Sequence, residues 1–544
     1  MNKQCQNCHK TFSIHDRDIS YYKRINVPEP THCPNCRSQR RLAFRQERTL
    51  YNRECDLCKQ EIVSIYPSDS KYTVYCHDCW WSDKWDLQNY GQEYNFNRTF
   101  FSQFDELLKK TPRLAIIGAH NENSEYVSFA NYSKDCYLIY GVHSAERCMY
   151  SWRIHHSTDC MDCLQTTKCE LCYGGIDLED SYNCQFAFQA KNCRDSQFIF
   201  DCQGCANCFM STNLRNAEYV NKNKQLSKEE YEKKLKAIDL SDYQKQVELW
   251  QEFKELFQNK TIHRAVNSIK SANVTGDNFV EAENCYDCYT VKNGVNNSYL
   301  YFCEDIKDSY DCTFSGWPGE LLYENLSGGV HNYNTKFSIV CWSCNDTEYS
   351  ENCHHSKNLF GCSGVKKGEY YILNKKFSED NYKKIKIKII DNMKKTEEYG
   401  EFFPVNISPF GYNETLASEF YPEKKESVLA KGWKWQDNLP FTTGKENNID
   451  IFACTKCKRN YKIIEAENKF YKQNHLAVPA LCPDCRHTER MNARNPLYTW
   501  KRQCMCTQPD HNHQGRCTTE FETTFSSERK ELIYCGDCYN KEIY

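Results

Sequence analysis

Four cysteines near the start of the chain, Cys5-x2-Cys8-x24-Cys33-x2-Cys36, recur near its end as Cys454-x2-Cys457-x24-Cys482-x2-Cys485, with every spacer unchanged and a constant offset of 449 residues. Chance does not repeat four residues and their spacers, so a metal-binding module is duplicated at the two ends. Each Cys-x2-Cys pair reads as a knuckle, a tight turn that aims two sulfurs at one ion, and the second pair completes a tetrahedron. Four thiolates leave no open position for a substrate. Buried unpaired cysteines are the competing reading, and the double occurrence of Cys-Pro-x-Cys-Arg, at Cys33 to Arg37 and Cys482 to Arg486, argues against it.

The chemistry expected of the cysteines depends on the surroundings of the chain. Thirty-six of them in 544 residues would suggest disulfides in a short secreted protein. This chain is long, its opening MNKQCQNCHK lacks an apolar signal region, and no run approaches the roughly eighteen apolar residues of a membrane span. The expectation is a cytoplasmic protein with no membrane partner, whose reduced thiols bind about four structural zinc ions. With 40% hydrophobic residues, one large apolar core is not expected, and metal supplements burial. A net charge of -3 gives no global attraction to nucleic acid, so any such argument must be local.

The stretches CQNCHKTFSIHDRDISYYKRINVPEPTHCPNCRSQRR, residues 5–41, and CTKCKRNYKIIEAENKFYKQNHLAVPALCPDCRHTER, residues 454–490, resemble a small family of zinc-binding domains of treble-clef or zinc-ribbon type. That family is built as Cys-x2-Cys, an aromatic, β-rich middle and Pro-x2-Cys-Pro-x-Cys-Arg. The resemblance implies a structural zinc on each of the two cysteine sets and implies no catalysis.

The alignment of the two ends continues. Arg53 and Cys55 fall on Arg502 and Cys504 at the same offset, and Cys58, Cys76 and Cys79 fall on Cys517, Cys535 and Cys538 after a ten-residue insertion. A second site per end follows. At the N-terminus it is Cys55, Cys58, Cys76 and Cys79; at the C-terminus Cys517, Cys535 and Cys538 are joined by Cys504, on alignment, or by Cys506, which starts the inserted loop. The spare cysteine with His511 and His513 makes another site or, the favoured reading, the histidines are solvated loop residues.

Behind each Cys-Pro-x-Cys runs a basic stripe. Arg37, Arg41 and Arg45 recur at i, i+4 and i+8, as do Arg486, Arg490 and Arg494, which puts each set on one helix face. Arg40, Arg48 and Arg53 thicken the first stripe, and Lys501 and Arg502 extend the second. Guanidinium forks match phosphate oxygens, so the stripes are candidate contacts to an RNA or DNA backbone. The alternative is that these arginines pair with acidic residues elsewhere in the chain or simply solvate a helix.

The middle uses cysteine differently. Cys136, Cys148, Cys160, Cys172 and Cys184 lie twelve apart, with Ser or Cys commonly three residues earlier and aromatic or β-branched residues between. A short repeat of this kind predicts rungs of a β-solenoid in which cysteine is a small stacked hydrophobe; a row of metal sites is the competing reading. The block is duplicated, since Cys193, Cys202, Asn207 and Tyr219 reappear 151 residues later as Cys344, Cys353, Asn358 and Tyr370. Ser227 with Glu230 forms a capping box, Ser378 opens a matching helix, and these helices are expected to cap the open ends. The aromatic segments from Trp80 and from Glu398 are expected to dock the modules by packing.

The predicted fold is therefore mainly β and multidomain. Its parts are a tandem zinc module (1–85), a connector (86–125), a first β-solenoid block (126–220), a helical spacer (221–274), a second block (275–373), a helix and aromatic connector (374–447) and a second tandem zinc module (448–544). This order resembles an uncharacterised cysteine-rich family of candidate-phyla-radiation bacteria. Some of its members carry a CoA-transferase label, but this chain has no phosphate-binding glycine loop and no nucleophile constellation. The expected function is non-catalytic, a nucleic-acid-binding or scaffold protein acting through the arginine stripes. The alternatives are a protein-interaction platform and a solenoid enzyme or carbohydrate binder using Arg153, His155, His156 and Asp159, or His331, His354 and His355. Adjacent histidines on a strand would face opposite ways, which weakens the last idea.

Overall fold

The computed structural model describes residues 1–314, 318–327, 329–446 and 450–544. Among these the chain is mainly strand, with twelve α-helices and two sheets of twelve strands, and none of the helices is long and apolar enough to cross a membrane. It divides into two compact units, each assembled from separate stretches: Met1–Ile116 with Asn267–Asn438, and Ile117–Val266 with Leu439–Tyr544. The N-terminal cysteine module thus belongs with the second cysteine-rich block, and the C-terminal module with the first.

Within the first block the strands are parallel and pair at a register of twelve residues, so that Ser128, Tyr140, Trp152, Leu164, Ile176, Phe188 and Phe200 stand beside one another in turn. The repeat has a finer period of three. Phe129, Tyr132, Asp135 and Leu138 have φ of 51°, 55°, 52° and 50°, Gly141 has φ 65°, and the left-handed conformation continues at nearly every third position of the block. Each such non-glycine residue costs roughly 1–2 kcal/mol, least for Asn and Asp, and interstrand bonds offset it. The amides of Arg147, Tyr150 and Asp159, for example, donate to the carbonyls thirteen residues earlier, at 2.9, 3.1 and 2.9 Å.

The residue after nearly every left-handed position is buried, and the buried set is mostly small: Val127, Ala130, Cys136, Ala145, Cys148, Cys160, Cys163, Cys169 and their successors form one cluster, with Leu214 and Ala217 partly buried against it. Serine and cysteine recur there because the inward residue's amide bonds to the side chain one repeat behind. Cys148 N donates to Cys136 Sγ (3.5 Å), Cys160 N to Cys148 Sγ (3.4 Å), and Cys163 N to Ser151 Oγ (3.0 Å). The thiol in turn donates to carbonyls, as Cys148 Sγ does to Glu146 and Ser157 at 3.3 and 3.5 Å.

The triplet corrects one expectation. Ile154 and Ser157 are buried while His155 is half-buried and His156 exposed, so the adjacent histidines both lie outside instead of facing opposite ways.

The second block repeats the register of twelve, for example Tyr333 to Asn345 to Lys357. Ile306 pairs Gly319, and Gly319 pairs Asn332, at thirteen. Two one-residue insertions therefore carry the offset between the blocks from 149, as in Asp162 to Asp311, to 151, as in Cys193 to Cys344. Inward asparagines serve where cysteine does elsewhere: Asn332 donates to Cys341 O at 2.7 Å and accepts from Cys344 N at 2.8 Å.

Each block ends in a short antiparallel return followed by a helix, Lys228–Lys236 or Glu379–Lys395, whose tyrosines Tyr231 and Tyr382 pack on Tyr219 and Tyr370 at 5.8 and 5.7 Å. Ser227 and Glu230 form the expected capping box. The helix Tyr243–Asn259 departs from the capping expectation. It lies along a side of the first block, Phe253 and Phe257 against Phe188, because Trp250, Phe253 and Phe257 fall on one face. The aromatic segments pack as expected: Trp80 is buried and donates to Pro112 O at 3.0 Å, and Phe403 stacks on Phe104 at 5.1 Å.

Candidate metal centres and the buried arginines

A tight turn builds the knuckle in three of the four terminal sites. His9, Lys59 and Lys458, each directly after the second cysteine of a pair, take φ of 57°, 63° and 62°. Their amides return to the carbonyl of the first cysteine at 2.9, 2.9 and 3.0 Å. The second pair sits at a helix start, with Cys33, Cys76, Cys482 and Cys535 as N-caps of Pro34–Leu42, His77–Trp81, Pro483–Asn492 and Gly536–Ile543. Proline at the first helical position of Pro34–Leu42 and Pro483–Asn492 presets the turn, and the helix dipole favours a thiolate there.

Cys5, Cys8, Cys33 and Cys36 gather with all sulfurs within 4.8 Å, as do Cys55, Cys58, Cys76 and Cys79, Cys454, Cys457, Cys482 and Cys485, and Cys504, Cys517, Cys535 and Cys538. Sulfur separations of 3.8 Å for Cys8 and Cys33, 3.9 Å for Cys58 and Cys76, and 3.6 Å for Cys457 and Cys482 are far too long for disulfides. They match the edge of about 3.8 Å of a tetrahedron with metal–sulfur bonds of about 2.3 Å. Backbone amides add donors to sulfur, from Cys33 to Cys5 (3.3 Å), Cys76 to Cys55 (3.3 Å) and Cys535 to Cys504 (3.2 Å). Some thiols ionise early: the hydrogen bond from Cys36 holds Cys33 down to about 5, and Cys454, although burial raises it, is brought to about 6 by the Cys457 and Cys482 amides. The donor set fits a soft-to-borderline divalent ion held in a closed site.

Cys504 thus completes the last four-cysteine set, and Cys506 does not belong to it. The ten-residue insertion splits the knuckle, with Cys517 N donating to Cys506 O at 2.9 Å. The histidines of the loop are not all solvated, since His511 is 9% exposed and its Nδ1 is 3.0 Å from Cys506 Sγ.

The stripe arginines do not face solvent. Arg37 and Arg41 are 1% and 0% exposed, and Arg40, Arg45, Arg486 and Arg490 are also buried. Arg37 and Arg41 share Asp311, at 2.9 and 3.2 Å, and Arg40 bridges Glu324 (2.7 Å) and Glu401 (2.6 Å). Arg45 pairs with Glu47 and Ser327 and lies 4.6 Å over the Phe314 ring. At the other end Arg486 and Arg490 share Asp162, at 2.9 and 2.7 Å, Arg486 also meets Glu467 at 3.3 Å, and Arg494 donates to Gln165 at 3.0 Å.

The copies agree in detail. Arg37 stacks on Tyr299 at 5.1 Å and Arg486 on Tyr150 at 4.9 Å; Tyr299 OH donates to Asp18 at 3.1 Å and Tyr150 OH to Glu467 at 2.6 Å. Burial works against the Arg37 and Arg486 charges, but Asp311 and Asp162 more than offset it and hold both groups well above their ordinary value. In this structure Arg37, Arg40, Arg41, Arg486 and Arg490 make their contacts to carboxylates elsewhere in the chain.

The remaining basic residues are scattered. Arg48 lies 3.5 Å from Glu419, Arg53 pairs with Asp56 at 3.0 Å, Arg502 donates to Ser526 O at 2.9 Å, and Lys501 is exposed. Among the candidate enzymatic residues, burial lowers His155 to about 3, with the neighbouring Arg153, His143 and His156 adding to the shift. Asp159 is bound to Arg147 at 2.8 Å, and Arg153 lies 5.7 Å over Trp152. His354 is buried beside Trp81 and Trp342 and lowered by that burial to about 3, while His331 and His355 are exposed.

Asp162, Asp311, Glu324 and Glu467 are the ion-pair partners that the sequence reading missed. A signal existed: at the early offset of 149, Asp162 falls on Asp311 and Tyr150 on Tyr299.

Compared with family models and with curated proteins, the chain matches none at a significant level.

Proposed function

We propose that this protein is a non-catalytic cytoplasmic scaffold in which zinc ions brace terminal modules of zinc-ribbon or treble-clef type, and β-solenoid blocks carry rigid faces for protein partners. The observation that carries this reading is the internal use of the arginine stripe, whose guanidiniums are paired with carboxylates inside each unit and so serve as fasteners. The closed thiolate sets leave no coordination position for a substrate. Outward side chains of the blocks are paired with one another along the stack, as in Asn183 to Asp195 (2.8 Å), Lys191 to Glu179 (2.7 Å), Asn293 to Asp305 (2.8 Å) and Lys357 to Glu369 (3.0 Å). A mixed-charge, pre-ordered face of this kind suits a protein surface better than a polyanion.

The test is fluorescence anisotropy of the full chain with mixed-sequence RNA and DNA at 50 and 200 mM salt, beside cross-linking at native abundance. The reading expects no salt-dependent nucleic-acid binding and cross-links from the exposed residues of the blocks to a protein. Tight binding that falls steeply with salt and is lost in Lys501→Glu would restore the nucleic-acid reading.

A further inference from the structure

The C-terminal module differs from its N-terminal copy by the inserted loop, and the loop brings its own ligand atoms to the same sulfur. Cys506, His511, His513 and Cys538 offer ligand atoms all within 4.8 Å of one another, and Cys538 is also the fourth member of the Cys504, Cys517 and Cys535 set. We propose that this module holds two divalent ions bridged by the Cys538 thiolate, one completed by three cysteines and the other by Cys506, His511 and His513.

Two independent features point to metal. The far ring nitrogen of each histidine faces an oxygen: His513 Nδ1 is 2.9 Å from Gly515 O, within hydrogen-bond distance, and His511 Nε2 lies 3.6 Å from the Glu542 carboxylate, beyond it. With a proton on each of those nitrogens, the lone pair is left on His511 Nδ1, 3.0 Å from Cys506 Sγ, and on His513 Nε2, 3.5 Å from Cys538 Sγ. An outer acceptor on the far nitrogen, as at His513, is what fixes the tautomer of a metal-ligating histidine. The second feature is burial, since Cys506 and His511 of the otherwise polar loop are 0% and 9% exposed and Cys538, on the helix Gly536–Ile543, is 4% exposed.

Ligand arithmetic also favours the bridge. Seven residues must fill eight tetrahedral positions, and the thiolate common to both sets supplies the missing one. Charge agrees: five thiolates against two dications leave one net negative charge, where an isolated four-thiolate site leaves two. A d10 ion, borderline zinc or softer cadmium, suits two sulfurs and two imidazoles. In the N-terminal copy Cys55 and Cys58 are joined by a plain knuckle with no such loop.

The proposal rests on the reading that the thiolate clusters hold metal, and native mass spectrometry of the full chain, refolded with zinc, separates the two. Five ions per chain are expected, falling to four in His511→Ala/His513→Ala, which keeps all four cysteines of the other set. A chain without metal would fail the underlying reading, whereas four ions in the wild type would overturn only the second ion. The bridge is read by cadmium-113 NMR of the cadmium-loaded chain. Two mutually coupled resonances, reduced to one uncoupled resonance in the double variant, are expected; five ions without coupling would overturn the shared thiolate.

Discussion

At the scale of single residues, the stripe shows how a charge pattern can be legible while its purpose is not. The i, i+4 spacing of Arg37 and Arg41 falls on the helix Pro34–Leu42, with Arg45 beyond its end, but whether these side chains meet phosphate or carboxylate depends on Asp311 and Glu324, 270 to 284 residues away along the chain. Periodicity carries no information over that distance. One carboxylate serves two buried guanidiniums at each end, so its loss leaves both short of an acceptor. Asp162→Asn is expected to destabilise its unit by about 3–5 kcal/mol, whereas Lys501→Ala, at an exposed position, stays within about 0.5 kcal/mol. Urea denaturation followed by tryptophan fluorescence checks both, and equal effects would count against the fastening role.

At the scale of elements, the twelve-residue spacing of cysteine was readable because the same small side chain returns at each repeat. The three-residue period was readable too, in the run of Val, Ala, Ser, Cys and Ile at every third position from Val127. The assumption of strand alternation hid it, because the left-handed residue in each triplet is not specified by any one amino acid; Phe129, Arg147 and His156 all adopt it. The cysteines divide accordingly. Of 36, the 17 in the terminal clusters leave 19 inside the blocks, all buried. Differential alkylation read by peptide mass spectrometry should therefore label the 17 once a chelator is added, while the 19 stay protected until denaturant opens the blocks. Within the blocks Cys160→Ser is expected to cost no more than about 1 kcal/mol, because serine can keep the bonds to the Thr158 and Cys169 carbonyls. Cys160→Phe overpacks the core and should cost about 1–3 kcal/mol or more.

At the scale of the whole molecule, the duplication copies more than cysteines. A tandem four-cysteine module, a twelve-residue-repeat block and the arginine, tyrosine and carboxylate clamp that joins them occur together in each unit, and in each the module comes from the far end of the sequence. The two internal offsets were visible in the sequence; the crosswise assignment was not, since nothing local tells a module which of two similar blocks it packs on. Amide hydrogen exchange on the full chain carrying Asp311→Asn tests this most directly. Asp311 is held by Arg37 and Arg41 of the helix Pro34–Leu42. That helix should lose protection together with the strands around the substituted position, while the helix Pro483–Asn492 keeps the protection of the wild type. Unchanged exchange in Pro34–Leu42, or loss confined to Pro483–Asn492, would contradict the account.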